Sequence, residues 1–269
     1  MGEHVRAGDL DIWTEQVGEG PDVLLIGGLG DTVESWQFQL DGLADRYRMT
    51  AFDNRGAGRT AMPEGPASAA VMADDAAAVL RALDVPSAHV AGFSMGSAIA
   101  QELAVRHPEL VRSLVLNSTY ARPDALFRSQ LDFWRWLPEA APSGRAFFEA
   151  FFTWVYTPRA HADGSVAGIV EEALNFAHGQ STGAFQAQVD VCREHDTTDR
   201  LPQIAAPTLV LAGEFDVILP PRFGHAVADA IPGARFEVLP GEAHQPFQEI
   251  PDKWNARVDA FWQEVEARN

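Results

Sequence analysis

The stretch Val90-Ala91-Gly92-Phe93-Ser94-Met95-Gly96-Ser97-Ala98-Ile99-Ala100-Gln101 leaves its chain few ways to fold. An apolar run meets a Gly-x-Ser-x-Gly turn at Gly92, Ser94 and Gly96, then passes directly into a helical pattern. A serine at such a strand-to-helix turn sits in a strained backbone conformation that lifts its hydroxyl clear of the sheet. The glycines leave room where a Cβ would crowd the neighbouring strand or helix. The helix begins beneath Ser94, and its unpaired first amides favour negative charge developing there. Three fixed positions also fit a glycine-rich turn without chemistry, so the rest of the chain has to decide.

Around this turn, strands and helices alternate. Residues 10–16 alternate apolar and polar side chains, as an edge or hairpin strand does. Residues 22–26, apolar from Val23 onward, carry the mark of a strand buried on both faces, and Gly27-Gly28-Leu29-Gly30 breaks the run. A helix over 35–46, a strand over 48–52, a helix over 68–83, the turn above with its helix to about His107, and a strand over 113–117 follow. The rhythm then stops. From about Tyr120 to Leu201 no strand is visible, and aromatic residues such as Trp134, Phe147, Phe148, Phe151 and Phe152 accumulate between short helices. It resumes with a strand from Thr208, a helix near 221–230, a strand over 235–239 and a last helix from Pro246 or Asp252 to Ala267. The pattern predicts an α/β fold: a mostly parallel sheet flanked by helices, joined by right-handed crossovers. Residues 1–119 and 202–269 form the expected core domain, and 120–201 a helical cap inserted into it.

Composition narrows what such a domain meets. A formal net charge of −18 over 269 residues argues against nucleic acid and anionic membranes as partners. The single cysteine, Cys192, excludes an intramolecular disulfide and fits a reducing compartment. The N-terminus from Met1 to Arg6 opens no apolar run, so no secretory signal is expected. No stretch reaches the roughly 18 apolar residues of a membrane span. The expected location is cytoplasmic. No His/Cys/Asp/Glu cluster has metal-ligand spacing, so no metal is expected. Nor is a cofactor: Gly27 to Gly30 lacks the endings of a P-loop or dinucleotide fingerprint.

With these elements in this order, the whole chain resembles the α/β-hydrolase superfamily. Four features carry the resemblance: the Ser94 elbow; Gly27-Gly28-Leu29-Gly30 in the place of the oxyanion loop; Asp53-Asn54-Arg55-Gly56-Ala57-Gly58-Arg59, similar to the family's Asp-x-Arg-Gly-x-Gly-x-Ser turn with Thr60 for the serine; and Gly213-Glu214-Phe215-Asp216 followed by Gly241-Glu242-Ala243-His244. The resemblance implies a triad of Ser94, Asp216 and His244, in the hydrolase chain order. Glu214 competes with Asp216 by position, and the family's acid matches Asp216. Backbone amides of Leu29 and Met95 are the implied oxyanion donors. Gly27 stands where a histidine is usual, which removes that residue's support of the loop. Asp53, Asn54, Arg55 and Arg59 read as loop braces; Asp31 and Trp36, near the oxyanion loop, are candidate substrate contacts, with core packing the expected role of Trp36.

Of the eight histidines, His244 alone sits in a glycine-flanked loop after the last strand. His89 enters a strand, His107 ends a helix and His225 lies in one; surface, cap and solvated-face positions are expected for them. His161, His178 and His195 lie in the inserted segment, where they could line a pocket but surface positions are expected. Cys192 reads as a buried thiol.

Ser94 at the elbow argues against the dehalogenases and epoxide hydrolases of this fold, which carry aspartate there. The chain is most similar to the small bacterial 3-oxoadipate enol-lactonase and carboxylesterase branch. That implies hydrolysis of a small-molecule ester or lactone through an acyl-enzyme. C–C bond hydrolases, iminopeptidases and perhydrolases use the same triad, and a non-turnover small-molecule receptor is the alternative from another class. An anionic substrate calls for a cap arginine (Arg122, Arg128, Arg135, Arg145 or Arg193). An iminopeptidase calls for carboxylates such as Glu139, Glu149, Glu171 or Glu172.

Overall fold

Along the central strands of the chain, alternate side chains enter two different cores. Leu24, Ile26, Val90, Leu114, Leu116 and Val210 join one; Val23, Leu25, Ala91, Val115, Leu209 and Leu211 join the other. This two-sided burial is why the strands read as unbroken apolar runs. The computed structural model describes residues 2–65 and 67–268; Met1, at the head of the N-terminal stretch read above, lies outside them, as do Pro66 and Asn269.

The strands are β1 (Glu3–Ala7), β2 (Leu10–Val17), β3 (Asp22–Ile26), β4 (Arg48–Phe52), β5 (Ala88–Phe93), β6 (Val111–Asn117), β7 (Thr208–Gly213) and β8 (Arg235–Leu239). They form one sheet in the order β1-β2-β4-β3-β5-β6-β7-β8. β2 pairs antiparallel with β1 and β4, and all other neighbours are parallel. β1 has no signature in the sequence because only Val5 and Ala7 of its five residues are buried. Its register, Glu3 opposite Thr14 through Ala7 opposite Leu10, comes from the hairpin.

Between strands of the core lie α1 (Gln37–Leu43), α2 (Ala69–Ala82) and α3 (Met95–Arg106). α1 is shorter than the expected helix over 35–46, because its first turn, Val33–Trp36, winds as a 3-10 helix. α2 buries Met72, Ala73, Ala76, Ala77 and Leu80 against the first core, small enough for α3 to pack beside it. Past β6 the chain runs through α4 (Ala125–Ala140), α5 (Gly144–Phe152), α6 (Pro158–Ala162), α7 (Ser165–Asn175) and α8 (Thr182–Glu194) before β7. Asp124, Ser143, Thr157 and Ser181 each accept a hydrogen bond from the amide three residues on, so local caps start four of these five helices.

The core closes with α9 (Pro221–Ala230), α10 (Pro246–Glu249) and α11 (Pro251–Glu266). The sequence predicts one terminal helix and the structure has two. Pro251 drives Ile250 out of the helical region, to φ −134° and ψ 54°. α11 then lays Trp254, Val258, Phe261, Trp262 and Val265 on the second core, a spacing that keeps them on one face.

Four hydrogen bonds are among those that fasten the inserted segment to the loops at the carboxyl edge of the sheet. Gln180 donates to the Gly56 carbonyl at 2.9 Å. Gln188 donates to the Arg55 carbonyl at 2.9 Å and accepts from the Gly30 amide at 3.0 Å. The His244 amide donates to the Val155 carbonyl at 3.1 Å.

Candidate active site

β5 ends in a turn whose apex, Ser94, has φ 52° and ψ −115°, a conformation rare for a residue with a Cβ. Glycine is required on both sides. A Cβ on Gly92 would lie 2.3 Å from the Gly96 carbonyl oxygen, and one on Gly96 only 2.1 Å from that of Ile26. The Ser94 amide donates to the Asn117 carbonyl at 3.0 Å, so β6 holds the apex in place.

Ser94, Asp216 and His244 come together from three separate loops. His244 Nε2 lies 3.0 Å from Ser94 Oγ, and His244 Nδ1 lies 2.7 Å from Asp216 Oδ2. The other carboxylate oxygen, Asp216 Oδ1, accepts from the amides of Ile218 and Leu219 at 2.9 and 2.8 Å. Burial works against charge on this fully buried side chain. The charge and hydrogen bond of His244 and the two amides outweigh it and hold the carboxyl below its ordinary value. Glu214, the competing acid, turns away and accepts from the Gly241 amide at 2.8 Å. The Ser118 hydroxyl donates to the His244 carbonyl at 2.8 Å, and the Phe93 ring lies 4.9 Å from the imidazole, so backbone and ring are both held.

Met95 opens α3, where first-turn amides have no partner inside the helix. The Leu29 amide has no acceptor among the described residues. Its neighbour does: Asp31 Oδ2 accepts from the Gly28 amide at 2.8 Å, while Asp31 Oδ1 accepts from the Ser35 hydroxyl at 2.9 Å. A Cβ on Gly27 would come within 2.9 Å of the Asp31 Cβ. Asp31 thus braces the loop beside the position where the family usually has a histidine. Burial raises its carboxyl above the ordinary value against the pull of those two donors and of His244.

The neighbouring loop is structural. Asp53 accepts from the amides of Val33 and Arg59, Asn54 donates to the Gly27 carbonyl, and Arg55 grips Asp75 with two hydrogen bonds. Trp36 is buried and stacks on Phe247. His107 caps α3 and pairs with Asp74, and His225 pairs with Asp229 on α9.

Two histidines depart from the expected surface positions. His89 is buried, hydrogen-bonded to Ser113 at 2.8 Å and stacked on Trp262. Burial, aided by the Arg112 charge, lowers it to about 3. His195 is buried against Tyr120 and Thr197, and burial, aided by the Arg200 charge, lowers it to about 4. His161 is exposed, whereas His178, also exposed, lies at the cavity described next. Cys192 is buried, which pushes its thiol up to about 12.

A cavity of about 1190 Å³ opens over Ser94 and His244, with Phe147, Phe148, Phe151 and Phe152 among its walls. None of the five cap arginines expected for an anionic substrate lines it. Arg135, Arg145 and Arg193 pair outside it with Asp190, Glu171 and Asp132. The arginine in the lining is Arg159, which sequence reasoning passed over; it pairs with Glu242 at 3.0 Å and approaches Glu249 at 3.6 Å. Of the four cap carboxylates considered, only Glu172 lines the cavity. Among the described residues, no group of three or more His, Cys, Asp or Glu could hold a metal ion, and no helix is long and apolar enough to cross a membrane.

An eight-stranded sheet with Ser94 on a strained elbow, facing His244 and Asp216 from later loops, defines a class. Residues 21–249 match the family described as alpha/beta hydrolase fold, and the chain belongs to it. Its relatives include RutD of Azorhizobium caulinodans, provisionally named a carbamate hydrolase, which is 32% identical over 263 residues covering 98% of this chain and 99% of that protein. BpoC of Mycobacterium tuberculosis, provisionally named a non-heme bromoperoxidase, is 35% identical over 266 residues covering 93% and 97%. Among solved structures, a thermophilic esterase from Thermogutta terrifontis with malate bound superposes with a TM-score of 0.85 at 26% identity, over 98% of this chain and 99% of that one.

Proposed function

We propose that this hydrolase cleaves a small-molecule carboxylic ester or lactone through an acyl-enzyme formed on Ser94. The observation that carries the proposal is the hydrogen-bonded chain Ser94–His244–Asp216 at the floor of an apolar cavity. Ser94 Oγ bonds to the substrate carbonyl carbon while its proton passes to His244 Nε2. Asp216 accepts from Nδ1–H throughout, which keeps the proton off Nε2 beforehand and stabilises the imidazolium afterwards. The amides of Leu29 and Met95 donate to the resulting oxyanion. As the tetrahedral intermediate collapses, the bond to the leaving oxygen breaks and that oxygen takes the Nε2 proton; from a lactone it stays tethered to the acyl group. Water then gives a proton to Nε2 and attacks the acyl carbon, and Ser94 leaves with the proton. Residues 120–201 act as the cap that selects the substrate.

A fluorophosphonate, read by intact mass, tests the nucleophile on wild type and Ser94→Ala, beside a panel of esters, lactones and carbamates. The expected result is one adduct on wild type, none on the variant, and turnover concentrated in the esters or lactones. A folded wild type that takes no adduct would overturn the proposal in favour of a binding protein. Turnover confined to carbamates would keep the nucleophile and replace the substrate class.

A further inference from the structure

The cavity over Ser94 is apolar in its walls and acidic in its charge. Asp31, Glu34, Asp163, Glu172 and Glu249 contribute carboxylates to the lining, against the single arginine Arg159. That arginine is already engaged by Glu242 and Glu249, and Glu34 is matched by Arg59 at 2.6 Å. Asp31 lies two residues beyond Leu29 and accepts hydrogen bonds on both oxygens, as a carboxylate does. Tyr156 stands in the same lining. Its hydroxyl, buried in the lining, donates to Gln248 at 2.7 Å. Burial, then the charges of Asp31, Glu249 and Glu172, push its phenol well above the ordinary value.

From this lining we infer that the substrate is an apolar acyl compound whose acyl and leaving groups are neutral or cationic, and that Asp31 and Glu172 reject substrates carrying a carboxylate. The inference rests on the Ser94 nucleophile proposed above. An anionic substrate would surrender its hydration on entering the aromatic walls and find no uncommitted cation there. A neutral chain meets neither penalty, and an ammonium-bearing chain, which also gives up hydration, finds the Asp31 and Glu172 carboxylates to offset the loss. The sequence left an anionic substrate open on condition of a cap arginine in the pocket, and the charge of this cavity points away from one.

The test uses three alkyl fluorophosphonates of equal chain length, ending in a methyl, a carboxylate or an ammonium group. In each reaction Ser94 Oγ bonds to phosphorus and fluoride leaves, so the labelling rate read by intact mass compares the chain ends alone. Rates are divided by each probe's hydrolysis rate in buffer. One unit charge within ~10 Å, at an effective dielectric near 20, slows the carboxylate probe about tenfold or more relative to the methyl probe. Asp31→Asn and Glu172→Gln should each narrow that ratio severalfold. The ratio is read within each variant, so a change in overall reactivity of the braced loop does not enter it. Repeating the series at ~0.5 M salt separates the local carboxylates from the net charge of the whole chain, whose long-range field is screened. A carboxylate probe that labels as fast as the methyl probe, or a ratio unmoved in both variants, overturns the inference while leaving the nucleophile intact. Failure of all three probes on folded wild type overturns the nucleophile, and the inference with it.

Discussion

Replacing Asp216 by asparagine isolates what the acid does. The change keeps the side chain's shape, yet the surroundings dictate how the amide must lie. Asp216 Oδ1 accepts from the amides of Ile218 and Leu219, so asparagine has to present its carbonyl oxygen there and its NH₂ toward His244. The flipped orientation would set NH₂ against two buried N–H donors, costing about 1–3 kcal/mol for each group left unsatisfied. With an NH₂ donating to it, His244 Nδ1 becomes an acceptor and the ring proton moves to Nε2, facing Ser94 Oγ. The base is then occupied, and the imidazolium loses its counter-charge. Together these are worth about 10⁴-fold in acylation rate, or about 5 kcal/mol of barrier. The assay is the single-turnover rate of acylation by an activated ester, with imidazole ¹⁵N shifts to read the tautomer and a thermal melt to confirm folding. A folded Asp216→Asn protein that acylates within tenfold of wild type would refute the assignment of Asp216 as the orienting acid.

Two other perturbations test the scaffold. Gly96→Ala places a Cβ 2.1 Å from the Ile26 carbonyl oxygen and 2.5 Å from that of Gly27. Both are backbone, so β3 and the loop after it must shift. A stability loss of about 2 kcal/mol or more in denaturant unfolding, with loss of fluorophosphonate labelling, is expected; wild-type values for both would contradict the close approach. Acid stability should follow His89 and His195, held in the fold at about 3 and about 4. Both folded values lie below the unfolded value of about 6.5. As the pH falls below that, the unfolded chain therefore gains protons that the fold refuses, and stability drops until the folded values are reached. At pH 5 each ring has cost about 2 kcal/mol relative to pH 7. His89→Gln should shrink the difference in unfolding free energy between pH 7 and pH 5 by about that amount, and an unchanged difference would place the proton uptake elsewhere.

What could be read from the sequence was what short spacing or chain order encodes. The elbow is written in five consecutive residues, and the sequence Ser94, Asp216, His244 follows strand ends that apolar runs mark. Even the choice between Glu214 and Asp216, two positions apart, followed the family's order; in the structure Glu214 instead meets the Gly241 amide. What escaped depends on partners distant in sequence. His89 is buried because Trp262 and Ser113 surround it, and His195 because Tyr120 lies against it. The cap arginines failed for the same reason. Helical periodicity gives each helix a face but not its neighbour, so it could not tell that Arg135 would meet Asp190 or that Arg159 would turn to Glu242. Asp31 did carry a local sign, an aspartate directly after the glycine loop and four residues before Ser35. Gln180 and Gln188 carried none.

The attachment of the inserted helices bears on how such a molecule diversifies. The ties are of two kinds: a backbone carbonyl, at Val155, which any residue could supply, and side chains, those of Gln180 and Gln188 at the loops and those of Tyr156, Thr157 and Arg159 at Gln248, Glu249 and Glu242. Residues on the inner faces that make none of these bonds can drift while the loops beneath keep their shape. Over generations, preference for one compound or another can therefore be exchanged as a single block of sequence, with these few side chains as the conditions of its fit.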